Sequence, residues 1–346
     1  MNGMESAARI QSSRIEPVSS SGGARELRML ITSAGRRVEL LQCFRAAASD
    51  LGVQLTIFGC DLDPQLSAAC RLADQAWAMP RADDPDYADE VLAICRREGV
   101  SLLVPTIDPE LVPLSEAEPR FAAIGAELAI GSASLVGMAR DKLETARFLA
   151  AHDIPSPRTE ALDRAAAVSR DWGFPLIVKP RHGSASRGVR VVADAAELHA
   201  NLEDEPLILQ ERLRGVEYTV NMFFDRSGTL RCAVPHERLQ VRAGEVEKGR
   251  TRRMPMLEEM AIHIAEALDG PRGAMCFQAM VDEAGRAEVF EINARFGGGY
   301  PLAHRAGATM TRWLLEERLG LPLTAGNNWR ENVAMLRYDA AVFLDS

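Results

Sequence analysis

The chain has 346 residues, of which 47% are hydrophobic, and a formal net charge of -9. This length and composition predict a globular protein of two or three domains, and the negative charge argues against a nucleic-acid partner or an anionic-membrane surface. No apolar run approaches the roughly 20 residues of a membrane span, and the cysteines, which lack a C-x-x-C spacing, indicate reduced buried thiols and not a zinc site.

The N-terminal part of the chain divides into a leader and an alternating region. Residues 1-26 are rich in serine and glycine without the apolar core of a signal peptide, which predicts a disordered leader on a cytoplasmic protein. From 27 to 140, strand-like and helix-like segments alternate, so we expect a Rossmann-like parallel sheet. The first strand-helix turn has one glycine and no G-x-G-x-x-G, so Asp61 after the second strand is expected to be a loop or cap residue.

Two lysines in the next region lie where a polyanion could bind. Lys142 falls in the first turn of a helix predicted from Asp141 to Ala151, where a cation is either solvated or held for an anion. Lys179 ends a predicted strand, and the glycine- and serine-rich loop 181-188 follows it. Such a loop can fold backbone N-H groups over phosphates, although a loop of this kind taken alone is more often a simple hairpin turn.

A polar β-hairpin is predicted between residues 274 and 295, with a tight two-residue turn. Pairing of Glu283 with Arg286 in that turn fixes the register. Gln278 then lies opposite Glu291 on the neighbouring strand.

The second strand of this hairpin is predicted to have one polar and one apolar face. Side chains alternate on a strand, so Glu291, Asn293 and Arg295 share one face, whereas Phe290 belongs to the core face. A carboxylate, an amide and a guanidinium suit Mg²⁺ and phosphate, but a solvated strand face explains the same pattern. Three glycines from Gly297 onward, ahead of a predicted helix over 302-319, favour an anion site.

Five motifs in this order resemble the ATP-grasp superfamily, nearest to single-copy relatives of the carbamoyl-phosphate synthase large subunit. They are Lys142, Val178-Lys179-Pro180, Gly183-Ser184-x-Ser186-x-Gly188, Gln210-Glu211-x-Leu213-x-Gly215-x-Glu217, and Gln278 with Glu291-x-Asn293-x-Arg295. The resemblance covers roughly residues 29-319 and implies an α/β (α+β grasp) fold. Its expected parts are a Rossmann-like pre-ATP-grasp domain at 27-140, a two-lobed ATP-grasp domain at 141-325 with a flap lobe at about 155-212 and a catalytic lobe at about 213-325, and a C-terminal strand or tail at 326-346.

The resemblance also implies a role for each motif residue. Lys142 and Lys179 would bind the phosphates of ATP beneath a closing loop. The remaining implied roles are loop closure by Gly183, Ser184, Ser186 and Gly188; an adenine-reading hinge at Glu211, Arg212 and Leu213; ribose binding by Glu217; binding of one or two Mg²⁺, or Mn²⁺ in its place, by Gln278, Glu291 and Asn293; and catalysis by Arg295, Lys179 and Asn293.

The mixed-charge segment 236-253 is predicted to be largely a solvated, mobile loop, and the resemblance implies a substrate-facing loop here. Arg238 and Lys248 are its candidates for clamping a carboxylate or phosphate. Gly297 and Gly298 are further candidates for contact with substrate.

The function implied is an ATP-dependent carboxylate-amine ligase that forms an amide through an acyl phosphate and releases ADP and phosphate. Its partners would be a small-molecule carboxylate and amine, and a homodimer is compatible with the sequence. Alternatives are ATP-dependent activation of bicarbonate, as in carboxylases, and a non-catalytic nucleotide-binding module. A dinucleotide oxidoreductase is disfavoured because the glycine fingerprint is missing.

Overall fold

The computed structural model describes residues 25-164, 171-183, 187-199 and 206-343. Ser184 and Ser186 of the predicted phosphate loop, and nearly all of the predicted leader, lie outside these residues. Within the described ranges, no helix combines the length and apolar character needed to cross a bilayer.

The N-terminal sheet is parallel and has helices packed on it, as predicted. Its strands are β1 (Arg25–Ile31), β2 (Val53–Asp61), β3 (Gln75–Ala78), β4 (Leu102–Val104) and β5 (Glu127–Leu128), and its helices are α1 (Val38–Asp50), α2 (Ala68–Leu72), α3 (Tyr87–Glu98), α4 (Asp108–Glu116), α5 (Glu118–Ala122) and α6 (Ala133–Arg140). The strand order is β3-β2-β1-β4-β5. In such a sheet the loops after the strands gather at one edge, and that edge borders the site described below.

Asp61, at the end of β2, binds two backbone N-H groups. Its carboxylate accepts hydrogen bonds from the backbone N-H of Gly35, at 2.7 Å, and of Leu62, at 2.8 Å. Gly35 adopts a φ of 47°, so the carboxylate fixes the first strand-helix turn. Asp61 thus binds backbone of the protein itself, although it is the N-cap of neither α1 nor α2.

The second sheet is a small antiparallel sheet with its own core. The helix α7 (Lys142–Ala151) precedes it and packs in a larger core through Leu149. The part around the sheet contains β6 (Thr159–Ala161), a 3₁₀ turn (Leu162–Arg164), β7 (Leu176–Pro180), β8 (Arg190–Val192), α8 (Ala195–His199) and β9 (Leu207–Glu211). The strand order is β6-β9-β7-β8. The buried apolar residues of this sheet form a cluster separate from the rest of the molecule's core.

The third sheet is antiparallel and has six strands in the order β14-β13-β10-β11-β12-β15. Its strands are β10 (Val216–Phe224), β11 (Leu230–Arg242), β12 (Glu245–Thr251), β13 (Gly273–Val281), β14 (Ala287–Asn293) and β15 (Ala334–Leu336), and its helices are α9 (Pro255–Ala267), α10 (Tyr300–Ala306) and α11 (Met310–Arg318). Two hydrophobic clusters each join side chains of the N-terminal domain to side chains of this sheet. The parallel and antiparallel parts confirm the predicted α/β fold class.

Three element predictions in this part of the chain differ from the structure. The segment 236-253 is not a mobile loop, because most of it belongs to the paired strands β11 and β12. The predicted helix 302-319 is two helices, because Gly307 ends α10 with a φ of 114°. The strand predicted over 333-343 is also shorter, because β15 covers only Ala334–Leu336.

The β13-β14 hairpin has the predicted central register, but it reaches that register by a different route. Gln278 lies opposite Glu291, as expected. The turn, however, has three residues, because Asp282 N-H donates to Arg286 O at 3.0 Å and Gly285 adopts a φ of 80°. A register shift after Gln278 then compensates for the longer turn. The predicted Glu283-Arg286 pair is therefore wrong by one residue.

Gly215 is a position where a side chain should not be tolerated. It has a φ of 139°, and a Cβ there would lie 2.1 Å from the Val281 carbonyl oxygen. Gly215→Ala is therefore expected to lower the free energy of unfolding by about 2-3 kcal/mol in chemical denaturation. Gly137→Ala is the control, because a Cβ there meets nothing within 4 Å and alanine favours a helix. Equal stability of the two variants would contradict the expectation.

Candidate active site

A cavity of about 510 Å³ lies where the two antiparallel sheets meet the loop edge of the parallel sheet. Most of the residues singled out from the sequence line it: Lys142, Lys179, Gly183, Glu211, Arg212, Leu213, Glu217, Arg238, Gln278, Glu291, Asn293, Arg295, Gly297 and Gly298. Of the described candidates, Gly188 and Lys248 do not line the cavity. Gly188 packs on Pro180, and Lys248 is exposed on β12. The expectation for Lys248 was based on the segment being a loop, and the strand pairing removes that basis.

Lys142 reaches the cavity from the first turn of α7. Its Nζ lies 3.7 Å from Glu291 Oε1 and donates to the Gly183 carbonyl oxygen. The helix is capped by Asp141, whose side chain accepts from the N-H groups of Leu143 and Glu144. Lys142 is therefore held in place at a helix start and not left in solvent, which favours the anion-holding alternative over the solvated one.

Lys179 is a buried cation at the end of β7. Its side chain donates to Gln210 Oε1 at 2.8 Å and lies 5.7 Å from the centroid of the Phe290 ring. Burial lowers the pKa of Lys179 to about 8, Glu291 opposes that change and Lys142 adds to it. A lysine kept next to another cation in a buried place is poised to gain from an anionic ligand.

Phe290 corrects the predicted face pattern of β14. It was expected on the core face, but it lines the cavity under Lys179. The register shift between Gln278 and Ala279 places two β14 residues, Phe290 among them, across from one β13 residue. The alternation of faces is broken at that point, so Phe290 and its neighbour Glu291 both reach the cavity.

A chain of polar contacts connects the two strands of the hairpin to β10 and β11. In the orientation that satisfies both ends of its amide, Gln278 donates to Glu291 Oε2 at 2.8 Å and accepts from Arg238 Nη1 at 2.6 Å. Arg238 Nη1 also lies 3.0 Å from Glu217 Oε1. Burial raises the pKa of Glu217, and Arg238 partly offsets this. Gln278, Glu217 and Arg238 thus belong to one network.

Arg295 is held at the junction with the N-terminal domain. Its Nη2 lies 2.6 Å from Asp108 Oδ2 and donates to Asn293 Oδ1 at 3.2 Å. Burial opposes the charge on Arg295, but Asp108 outweighs it, and the pKa of the guanidinium is raised. Arg295 therefore stays charged, and its orientation is fixed by a carboxylate from another domain.

The adenine-hinge candidates Glu211, Arg212 and Leu213 all line the cavity. The Glu211 carboxylate pairs with the Arg158 guanidinium and accepts from the Arg158 N-H at 2.9 Å. That pairing, together with the Arg158 hydrogen bond, lowers the pKa of Glu211. The side chain of Glu211 is therefore already partnered by Arg158.

Sequence reasoning missed several residues of the cavity wall. The clearest are Asp108, Arg37 and Glu245. Asp108 had a usable signal, because it follows β4 at the loop edge of a parallel sheet, where ligands bind. Arg37 lies in the corresponding turn after β1. Glu245 begins β12 and carried no local signal.

The donor set on β13 and β14 fits a magnesium ion bound together with phosphates. Glu291 offers a carboxylate and Asn293 an amide oxygen, both hard ligands on β14. The amide oxygen of Gln278 accepts from Arg238, so Gln278 would have to turn its amide to add a third ligand from β13. In the described part of the chain there is no cluster of three or more His, Cys, Asp or Glu side chains that could hold a metal alone. Mg²⁺ commonly takes one or two protein carboxylates and keeps waters and phosphate oxygens as its other ligands, which matches this small set.

A family model described as an ATP-grasp domain matches residues 139–299. The chain contains an ATP-grasp domain. A second model, described as the N-terminal domain of PylC-like proteins, matches residues 29–129. The predicted ATP-grasp resemblance is confirmed, whereas these matches do not single out the carbamoyl-phosphate synthase branch.

Known proteins similar to this ATP-grasp chain include two ligases and a carboxylase. The D-alanine–D-alanine ligase of Stutzerimonas stutzeri is 28% identical over 212 residues, 55% of this chain and 67% of that protein. The phosphoribosylamine–glycine ligase of Xylella fastidiosa is 24% identical over 241 residues, 60% of this chain and 55% of that protein. The chain thus spans roughly half to two thirds of these curated relatives.

Among solved structures, the biotin carboxylase domain dimer of Hydrogenobacter thermophilus 2-oxoglutarate carboxylase, in complex with MgADP and bicarbonate, has a TM-score of 0.72. It is 15% identical, and the match covers 88% of this chain and 73% of that one. At this identity the likeness establishes a shared fold.

Proposed function

We propose that this ATP-grasp protein is an ATP-dependent carboxylate-amine ligase that works through an acyl phosphate. The observation that carries the proposal is the convergence of Lys142, Lys179, Glu291, Asn293 and Arg295 on one cavity, from one helix and two different sheets. A purely structural polar strand would not need two lysines and an arginine gathered around its carboxylate. The ligase relatives support the same class of reaction.

ATP would bind with its phosphates against Lys142 and Lys179. Two cations and one carboxylate at this end of the cavity leave an excess of positive charge that phosphate oxygens would neutralise. The backbone of 211-213 would contact the adenine edge, and Glu217 would accept hydrogen bonds from the ribose hydroxyls. Gly183, at the start of the loop between β7 and β8, would lie beside the phosphates.

Glu291 and Asn293, with Gln278 as a weaker neutral ligand, would hold Mg²⁺, or Mn²⁺ in its place. The ion would neutralise negative charge on the phosphate oxygens of ATP. A neutral amide at 278 reduces the negative charge of the site. One tightly held ion is therefore the arrangement that these residues favour.

The reaction balances without a covalent enzyme intermediate. An oxygen of the substrate carboxylate attacks the γ-phosphorus, the bond to the β,γ-bridging oxygen breaks, and ADP leaves. The amine nitrogen then attacks the acyl carbon, the carbon-oxygen bond to phosphate breaks, and the nitrogen loses a proton. Arg295, fixed by Asp108, would neutralise charge on the phosphoryl oxygens, while the cavity holds the reactants together.

Activation of bicarbonate is the second candidate, because the chain shares its fold with a biotin carboxylase domain. Bicarbonate is itself a carboxylate that ATP can phosphorylate, so the same residues would serve. The two candidates differ only in the acid that occupies the cavity. A homodimer remains a prediction for either.

The test is release of ADP from Mg²⁺-ATP in the presence of hydroxylamine, across a panel of amino acids and small carboxylic acids, with hydroxamate as the second readout. Acid-dependent hydroxamate is the result expected of an acyl-phosphate ligase. ADP release on bicarbonate, with no hydroxamate from any acid, would replace the proposal with the carboxylase alternative. ATP binding without ADP release under any condition would indicate a non-catalytic module.

A further inference from the structure

One wall of the cavity carries a charged trio that the phosphate chemistry does not use. It consists of Arg37, Glu245 and Arg337, and we refer to it as the Arg-Glu-Arg trio. Arg37 Nη1 lies 3.0 Å from Glu245 Oε1, and Arg337 Nη1 lies 2.9 Å from Glu245 Oε2. Arg37 and Glu245 face the cavity. The three residues come from the N-terminal domain, the β11-β12 hairpin and the C-terminal tail.

The trio has an unbalanced charge in a poorly solvated place. Two guanidiniums share one carboxylate, so the trio is net positive, and the side chains of Arg37, Arg337 and Glu245 are only 17%, 28% and 30% exposed. Glu245 also lies flat on the backbone of Gly298, where a Cβ would be 2.6 Å from its Cδ atom. An uncompensated cation beside a cavity is stabilised by an anionic ligand.

Arg37 is the member placed to receive that ligand. Besides Glu245, it donates to the Thr106 carbonyl oxygen at 3.3 Å, which orients the guanidinium at the loop edge of the parallel sheet. A guanidinium presents five N-H donors in a planar fork that matches a carboxylate. Two contacts leave part of that fork for a ligand.

We propose that Arg37 binds a second, non-reacting carboxylate of the acid substrate, and that Glu245 is its partner when the cavity is empty of substrate. The inference rests on the proposed ligase function. The substrate class is therefore a dicarboxylate, including acidic amino acids, and not a simple monocarboxylic acid. When the substrate carboxylate takes Arg37 from Glu245, Glu245 still has Arg337 as a partner. The substrate carboxylate also cancels the net positive charge of the trio, and both effects favour binding.

The test compares acids with their own monoamides in the hydroxamate assay: glutarate with glutaramate, succinate with succinamate, and L-glutamate with L-glutamine. The dicarboxylates are expected to react with the lower KM. Arg37→Gln should raise their KM about 10- to 100-fold, the range for a hydrogen bond to a charged group, and leave the KM of the monoamides nearly unchanged. Glu245→Gln should lower the KM of the dicarboxylates, because it removes a competing carboxylate.

Arg37→Gln and Glu245→Gln should therefore change the KM of the dicarboxylates in opposite directions. If Arg37 and Glu245 formed only a structural ion pair, loss of either residue would change the KM in the same direction. Arg37→Lys keeps the charge and should recover part of the dicarboxylate preference if Arg37→Gln proves poorly folded. Hydroxamate formation with no preference for dicarboxylates, or equal KM shifts in both variants, would overturn this inference and leave the ligase proposal standing. Absence of hydroxamate with every acid would overturn both.

Discussion

Replacing Glu291 by alanine is expected to lower kcat about a thousandfold, the effect of losing several kcal/mol of charge stabilisation in the transition state. Glu291 is the carboxylate at the centre of the proposed metal set, with Gln278 on one oxygen and Lys142 near the other. Its side chain faces the cavity and not the core, so the variant should fold. The measurement is Mg²⁺-dependent ADP release together with thermal denaturation.

Glu283→Ala is the matched control for this experiment, because Glu283 lies in the exposed turn of the same hairpin. It should retain normal turnover. Asn293→Ala should resemble Glu291→Ala, with a smaller effect because an amide contributes less to metal binding than a carboxylate. Normal Mg²⁺-dependent turnover in a folded Glu291→Ala, Asn293→Ala double variant would show that these residues do not hold the metal.

The β13-β14 hairpin, which carries these residues, shows which features of a hairpin can be predicted from the alternation of residues along its strands. Alternation and a turn signal were enough to bring Gln278 opposite Glu291, because cross-strand position depends on counting residues from a turn. The predicted register was wrong by one residue at the turn, and the register shift near Phe290 brings the strands back to the predicted pairing. Bulges of this kind depend on packing with other elements, which is why the cavity position of Phe290 could not be read from the strand alone.

The β11-β12 hairpin was misread for a different reason. Its segment is highly charged, and such composition is typical of a solvated loop. In the structure, charged side chains of this hairpin form ion pairs with other elements, as Arg238 does with Glu217 of β10. His236 and Val246 of the hairpin are buried. Pairing of this kind joins residues far apart in sequence, so local composition cannot reveal it.

The same limit applies to the walls of the cavity. Asp108 orients Arg295 across 187 residues of sequence, and Arg37 meets Glu245 from another domain. The motif residues of the ATP-grasp domain could be found because they follow one another in a recognisable order. The residues that would choose the substrate come from the loop edge of one sheet and a hairpin of another, and only folding brings them together.

Lys179→Met is expected to weaken ATP binding about a hundredfold, the loss of a charge-assisted hydrogen bond in a buried place. Lys179 is buried and its pKa is lowered by that burial, so bound phosphates would stabilise its charge. Its pKa of about 8 lies below the unfolded-state value, so the protonated lysine disfavours the folded state below pH 8 and this effect fades as pH rises. The variant should therefore be no less stable than the wild type at pH 7.

The pH dependence of ATP binding gives the sharper readout. If the phosphates need a charged Lys179, the Kd for ATP should rise as pH increases through about 8 in the wild type, approaching tenfold per unit. The dependence should flatten in Lys179→Met. Lys248→Met removes an exposed lysine outside the cavity and should keep both the affinity and its pH dependence. A Kd that is independent of pH in the wild type, or unchanged in Lys179→Met, would mean that ATP does not bind against this lysine, because no other role of a buried cation predicts both effects together.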